Sequence, residues 1–212
     1  MQQVLILGTH WLAEEIFDLI SEIPGYQATA FVENLDRSRC ERTIEGLPVL
    51  WVDDIGPLAD THKAICGIST THRWRYVEQV AAMGIRFATL VHPTARVSRR
   101  AVLGAGCFVG PCSVVSAHAV IGEHVFMNRG VLIGHHTRLS DYVTVQPGAN
   151  IAGLVEIGAR TYVGMHAAIL ERLRIGESCV IGAGSVVTRD VPDRVQVCGV
   201  PARIVKRNIE GK

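Results

Sequence analysis

Three histidines, His118, His135 and His136, carry the chemistry this sequence offers most directly. An imidazole has an unperturbed pKa of about 6.5, so near neutral pH it takes a proton from an attacking amine or hydroxyl and returns it to a leaving group. Neutral imidazoles are also good zinc ligands, which is the rival use of the same residues. No carboxylate or cysteine completes a ligand set with them, and no metal is expected. Dinucleotide chemistry is disfavoured on sequence alone. A pyrophosphate site needs G-x-G-x-x-G after the first strand so that backbone amides can approach it. Here Gly8-Thr9-His10-Trp11-Leu12-Ala13 supplies one glycine and a bulky Trp. The six cysteines, Cys40, Cys66, Cys107, Cys112, Cys179 and Cys198, form no C-x-x-C pair and read as reduced thiols.

The element that must position these histidines is a repeat. From Val91 to Val187, seventeen consecutive hexads open on an aliphatic residue or Met with no insertion to break the phase. Four residues after each opener stands a second, usually small, position, among them Cys107, Ala119, Ala149, Ala167 and Cys179. A period of six matches neither a helix nor a flat strand. It matches a chain wound into a prism, one short strand and one turn per face, with openers pointing into the core. His92, His118, His124 and His166 fall on outward positions of this repeat, where a solvated or interface histidine is the default.

Residues 1–88 follow a different pattern. Apolar runs at Gln3-Gly8, Tyr26-Glu33, Leu47-Val52, Lys63-Ile68 and Ile85-Leu90 alternate with helical spacing at Trp11-Ile23 and Thr71-Met83, and Asp53-Thr61 reads as a brief helix. Strands alternating with helices predict a small parallel, Rossmann-like sheet covered on both faces. Glu33 at the end of the second strand reads either as a partner for a ribose hydroxyl or as a carboxylate in solvent. The domains are therefore expected at 1–88 (α/β), 89–192 (β-helix) and 193–212 (cap and tail).

The hexads resemble the left-handed parallel β-helix of the hexapeptide acyltransferases, whose coils take three hexads. Left-handedness comes from that resemblance, since crossovers are otherwise right-handed. At roughly 4.8 Å per coil the prism would stand about 27 Å tall. Further segments narrow the likeness: the opening strand-turn-helix, Phe31-Val32-Glu33-Asn34 followed by Gly46-Leu47-Pro48-Val49-Leu50, the lead-in Val91-His92-Pro93-Thr94-Ala95, and Gly199-Val200-Pro201-Ala202-Arg203-Ile204-Val205-Lys206 at the exit. Together they resemble the bacterial sugar acyltransferases that include the sialic acid O-acetyltransferases and the N-acetyltransferases of nucleotide-linked 4-amino sugars.

That resemblance implies an acetyl-CoA-dependent enzyme. In Asn128-Arg129-Gly130-Val131-Leu132-Ile133-Gly134-His135-His136, His135 matches the family's general base and Asn128 belongs to the asparagine-glycine stretch before it. His136 stands where the family places an acidic residue that orients the base, and a neutral or cationic ring does not replace a carboxylate in raising the base's pKa, so the orienting group is expected elsewhere or to be absent. With coils of eighteen residues, His118 stacks beneath His136, and His135 lies in a column with Ala117, Gly153 and Glu171. Gly153 matches the family's oxyanion-hole glycine. Gly164, Ala183, Gly199, Pro201 and Arg203 match positions lining the donor groove. The acceptor, a sugar or nucleotide sugar, would be held by Gly8, Thr9, His10, Glu33 and Asn34. The implied reaction is N-acetylation of a nucleotide-linked 4-amino-4,6-dideoxy sugar for surface glycan, with sugar O-acetylation as the alternative and an inactive trimeric scaffold as the non-enzyme reading. A homotrimer is implied as well.

Composition fits this picture. The 212 residues carry a formal net charge of +1 and are 48% hydrophobic, so no basic field recruits nucleic acid or an anionic membrane. The N-terminal apolar run is interrupted by Glu14 and Glu15, so neither an export segment nor a membrane span is expected, and the location is read as cytoplasmic.

Overall fold

A computed structural model describes all 212 residues, which divide into two compact units. One unit holds Met1–Ser69 with Arg73–His92, the other Thr70–His72 with Pro93–Lys212.

The first unit is an α/β sheet. Its strands are β1 (Gln2–Leu7), β2 (Tyr26–Glu33), β3 (Thr43–Ile44), β4 (Leu47–Trp51), β5 (His62–Cys66) and β6 (Arg86–Phe87), in the order β3-β4-β2-β1-β5-β6. All pairs are parallel except β3 with β4. Val4–Leu7 of the central strand are completely buried, as expected of a parallel strand covered on both faces. Helix α1 (Trp11–Ser21) turns Ala13, Ile16 and Ile20 inward, and α2 (Trp74–Ala81) buries Tyr76, Val77 and Val80. The helix anticipated over Asp53-Thr61 forms instead as two single 3₁₀ turns, Val52–Asp54 and Gly56–Leu58. Gly56 and Pro57 account for this: glycine loses most entropy in a helix, and proline has no N–H for the interior of one. Likewise Thr71–Arg73 forms a 3₁₀ turn before α2.

The second unit is the left-handed β-helix. Its two-residue strands stack into three parallel sheets, and each strand pairs with the strand eighteen residues on, as in Val114↔Leu132↔Asn150↔Ala168↔Val186. Every hexad opener from Val109 to Val187 is buried, and the small second positions fill the interior corners, Cys107, Ala119, Ala149 and Cys179 at 0% exposure. The strand Val195–Cys198 joins the stack in parallel and turns back antiparallel through Arg203–Arg207, closing one end.

Each corner needs one residue in the left-handed region. It recurs every six positions: Gly106, Cys112, His118, His124, Gly130, His136, Tyr142, Gly148, Leu154, Arg160, His166, Arg172, Ser178 and Gly184 all have φ between +52° and +70°. Histidine is enriched in that region among side chains with a Cβ, which explains why four of these corners carry one. Outward position did not mean exposure for two histidines. His124 is 7% exposed and stacks on Tyr142 with ring centroids 5.1 Å apart, and His92, in the first unit, is 3% exposed with its Nε2 3.0 Å from Glu22 Oε2. All six cysteines are unpaired, and no helix is long and apolar enough to cross a membrane.

Candidate active site

His135 and His136 occupy one corner of the prism, between the strands Leu132–Ile133 and Arg138–Leu139. The corner is stitched to its neighbours through the backbone. His136 N donates to Ala117 O of the coil below (3.1 Å), Leu154 N to His135 O (2.9 Å), and Thr137 Oγ1 to Ala152 O (2.8 Å). Thr137 sits at an interior position with 0% exposure, so its hydroxyl pins the corner from within.

The register of eighteen sets Gly153 over His135, and the fit is close. A Cβ added at Gly153 would stand 2.8 Å from both Cε1 and Nε2 of the His135 ring. The glycine is therefore required by the imidazole edge beneath it rather than by its own φ, which is not left-handed. Replacing Gly153 with alanine should displace that edge while leaving the corner's backbone intact. On the base role that the resemblance implies for His135, the expected result is a fall in turnover of roughly 100-fold, the scale of losing a positioned catalytic group, with unchanged CoA binding. Turnover and equilibrium CoA binding of the variant, measured side by side, check it.

Asn128 does not join His135 within the chain. It follows Phe126–Met127 at the preceding corner, is 9% exposed, and its Oδ1 accepts Arg129 N–H at 2.7 Å. The same corner column carries Gly164 and Ala183, which line a cleft of about 610 Å³ together with Tyr162, Cys198 and Lys206. Of the exit segment, Gly199, Pro201 and Arg203 do not line this cleft. Gly199 is held by its N–H on Ser185 Oγ (3.1 Å), and Pro201 follows directly. Arg203 lines a separate, smaller cleft with Val187 and Asp190. Anticipated donor residues thus fall into two places, and His135 with Gly153 into a third. Glu171, two coils above His135, is exposed.

In the first unit the anticipated acceptor residues do gather. The chain order β2-β1-β5 makes the carboxyl end of β1 a topological switch point, where open α/β sheets bind ligands. Gly8, Thr9, His10, Glu33 and Asn34 line a cleft there of about 220 Å³. Glu33 departs from the solvent reading. It is 5% exposed, it accepts a short hydrogen bond from Thr9 Oγ1, and its Oε1 receives the backbone N–H of Asn34 (2.9 Å), Leu35 (2.8 Å) and Asp36 (3.4 Å). Burial raises its pKa, but the Thr9 and backbone hydrogen bonds outweigh it and hold the carboxyl below its ordinary value. Both oxygens are engaged, so Glu33 acts first as the brace of the turn.

Its contribution to stability has a definite sign with pH. A depressed carboxylate stabilises the fold above its unfolded pKa, about 4.3, and that stability is lost as pH falls through the folded value. Glu33→Gln should destabilise this unit by about 1–3 kcal/mol at neutral pH, with the difference from wild type closing in acid. Thermal melts at several pH values read both.

Sequence reasoning missed Arg39 and Arg42. Arg39 Nη1 donates to Thr9 Oγ1 (2.9 Å) and Thr9 O (3.3 Å), and both arginines line an adjoining cleft with His10 and the exposed Trp11. They lie in a polar stretch whose 3₁₀ turn, Arg37–Glu41, has no hydrophobic period to announce it.

Comparison with known proteins fits this architecture. Residues 155–189 match the bacterial transferase hexapeptide family (six repeats). A variant of perosamine N-acetyltransferase from Caulobacter crescentus, in complex with CoA and GDP-perosamine, superposes over 96% of both chains with a TM-score of 0.88 and 28% identity. The acetyltransferase domain of PglB from Neisseria gonorrhoeae, in complex with acetyl coenzyme A, does so over 96% of this chain and 99% of its own, with a TM-score of 0.89 and 25% identity. Galactoside O-acetyltransferase of Escherichia coli (strain K12) is 42% identical over 52 residues, 24% of this chain and 26% of that protein. The chain spans just over a quarter of the length of the curated relatives it matches.

Proposed function

We infer that this chain, a hexapeptide-repeat protein of the sugar acetyltransferase type, transfers the acetyl group of acetyl-CoA to an amine on a nucleotide-linked sugar, most specifically a 4-amino-4,6-dideoxy sugar destined for surface glycan. The observation that carries the reading is the His135 edge seated under Gly153, in a chain that matches over 96% of its length a perosamine N-acetyltransferase variant in complex with CoA and GDP-perosamine.

The chemistry follows from the residues. A neutral sugar amine attacks the thioester carbonyl, Nε2 of His135 takes the amine proton, and the N–H of Gly153 meets the developing oxyanion. Collapse expels the CoA thiolate, which recovers the proton from the imidazolium. Gly164 and Ala183 with Lys206 serve the donor, and Gly199, Pro201 and Arg203 flank its far end. Gly8, Thr9, His10, Glu33 and Asn34 serve the acceptor, with Asn128 supporting the donor corner.

Donor and base residues on different corners of one prism require a neighbour to bring them together. We therefore read the protein as a homotrimer with active sites between subunits. Leu132, Leu154 and Leu170, each at least 40% exposed on or beside the sheet that leads into the His135 corner, supply apolar surface for that contact. Light scattering should give three chains per particle; a stable monomer with full turnover would exclude the shared site. Unpaired cysteines and the donor agree with a cytoplasmic location.

The O-acetyl alternative is tested by an acceptor panel. Nucleotide sugars bearing a free amine, and matched ones bearing only hydroxyls, are offered with acetyl-CoA while free thiol is followed. Thiol release with the amines alone supports the reading, and release with hydroxyl acceptors alone would replace it by O-acetylation.

A further inference from the structure

We propose that His136 is a positioning residue for the reaction: its neutral ring accepts the Nδ1–H of His135, fixing the tautomer that leaves the Nε2 lone pair of His135 available as the base. This rests on the reading of His135 as that base.

The two Nδ1 atoms stand 3.2 Å apart, with the rings nearly perpendicular at 84°. Two ring nitrogens at that distance share one proton, one donating and one accepting. If His136 donated, the lone pair of His135 would be spent at Nδ1 and its Nε2 would carry hydrogen, leaving a donor where a base is needed. If His135 donates, its Nε2 keeps the lone pair, and Nε2 lies on the ring edge facing Gly153. Only the second arrangement serves acyl transfer. The ring of His136 thus offers a lone pair where a carboxylate would offer an oxygen, contrary to the expectation from sequence that a histidine there could not orient the base.

Corner geometry alone does not account for the contact. His118, His124 and His166 occupy equivalent left-handed corners, but Ala117, Glu123 and Met165 precede them, so none has an imidazole to address. His136 is further braced from below, where the His118 ring stacks on it with centroids 4.7 Å apart and planes 30° from parallel. The titratable groups facing His136 are therefore His135 beside it and His118 beneath. Leu154 stands one coil above, and Glu171 and Arg172 two coils above.

A consequence distinguishes this from mere support. Once protonated, His136 donates at both nitrogens, forces His135 to accept at Nδ1, and silences the base without touching it. A proton on either ring stops turnover.

The test uses the full-length protein as wild type, His135→Ala, His136→Ala and His136→Asn, with kcat and KM measured across pH and CoA binding followed in parallel. Asparagine puts Oδ1 at the same bond from Cγ as Nδ1, does not titrate, and tolerates a φ of +58°. His136→Ala should lose roughly 10- to 100-fold in kcat with the KM for acetyl-CoA unchanged, as for a base deprived of the group that orients it. His136→Asn should stay within about threefold of wild type, and its acid limb should move to lower pH because the second silencing proton is gone. A spacer role would leave that limb in place. Were His136→Asn as impaired as His136→Ala, or His136→Ala as active as wild type, with His135→Ala inactive, the proposal would be overturned and the base would stand. A fully active His135→Ala overturns both. If His136→Ala fails to bind CoA, the pH limb of His136→Asn decides alone.

Discussion

His135→Ala should reduce kcat by about 10²- to 10⁴-fold, the range general-base catalysis contributes, while CoA binding stays near wild type. The imidazole projects from an exposed corner and packs into no core, so its removal costs little stability. The corner is held instead by the Thr137 hydroxyl and by backbone bonds to the coils above and below. The cleft proposed for the donor, with Gly164 and Ala183, lies at another corner, so the loss should fall on kcat rather than on donor affinity. Wild-type turnover should also climb with pH, because both the base and the sugar amine must shed a proton before attack. Kinetics with the amine acceptor at saturating donor check this. A near wild-type rate paired with an inactive His136→Ala would mean that the base is His136.

The second large effect is expected from deleting residues 1–88. The prism's core is self-contained: every opener from Val109 onward is buried by other coils, and the 18-residue register continues through Val187 to the closing strand at Val195–Cys198. The cleft proposed for the acceptor, by contrast, is built wholly from the first unit, with Gly8–His10 after β1 and Glu33–Asn34 after β2. Truncation should therefore abolish sugar acetylation while the remaining prism still assembles and binds CoA. It also removes Thr71, whose N–H and hydroxyl bond Lys212, so the C-terminal tail should loosen. Equilibrium CoA binding to the truncated chain is the measurement. Loss of donor binding would show that the labour is divided differently between the two parts.

How much of this was legible in the sequence depends on how local each feature is. The prism was, because one periodic demand, an apolar residue facing inward every six positions, is repeated seventeen times and cannot be met by another fold. The sheet was largely legible from its apolar runs, down to β2 at Tyr26–Glu33. The Asp53-Thr61 turns were not, since propensity there competes with Gly56-Pro57. His135 and Gly153 were brought together by the register alone, and the structure places them in contact. The separation of Asn128 from His135 was hidden, because sequence proximity of seven residues spans a whole face of the prism. Glu33 was hidden too: three backbone N–H groups converging on a carboxylate depend on a turn conformation that no spacing rule reads. The pairing of His135 with His136 depends on side-chain rotamers at a left-handed corner, which lie beyond any pattern of residue types.

Passage of the thioester's acetyl group to a sugar amine at the His135 edge is the step on which the proposed function stands. Its most direct test is stoichiometry: wild-type protein, acetyl-CoA and a nucleotide-linked 4-amino sugar are mixed, and free thiol and N-acetylated sugar nucleotide are quantified together. Equal amounts of thiol and acetylated product, both lost in His135→Ala, are the predicted result. Bound CoA with no thiol release for any amino-sugar acceptor would contradict it and leave a trimeric scaffold in place of an enzyme.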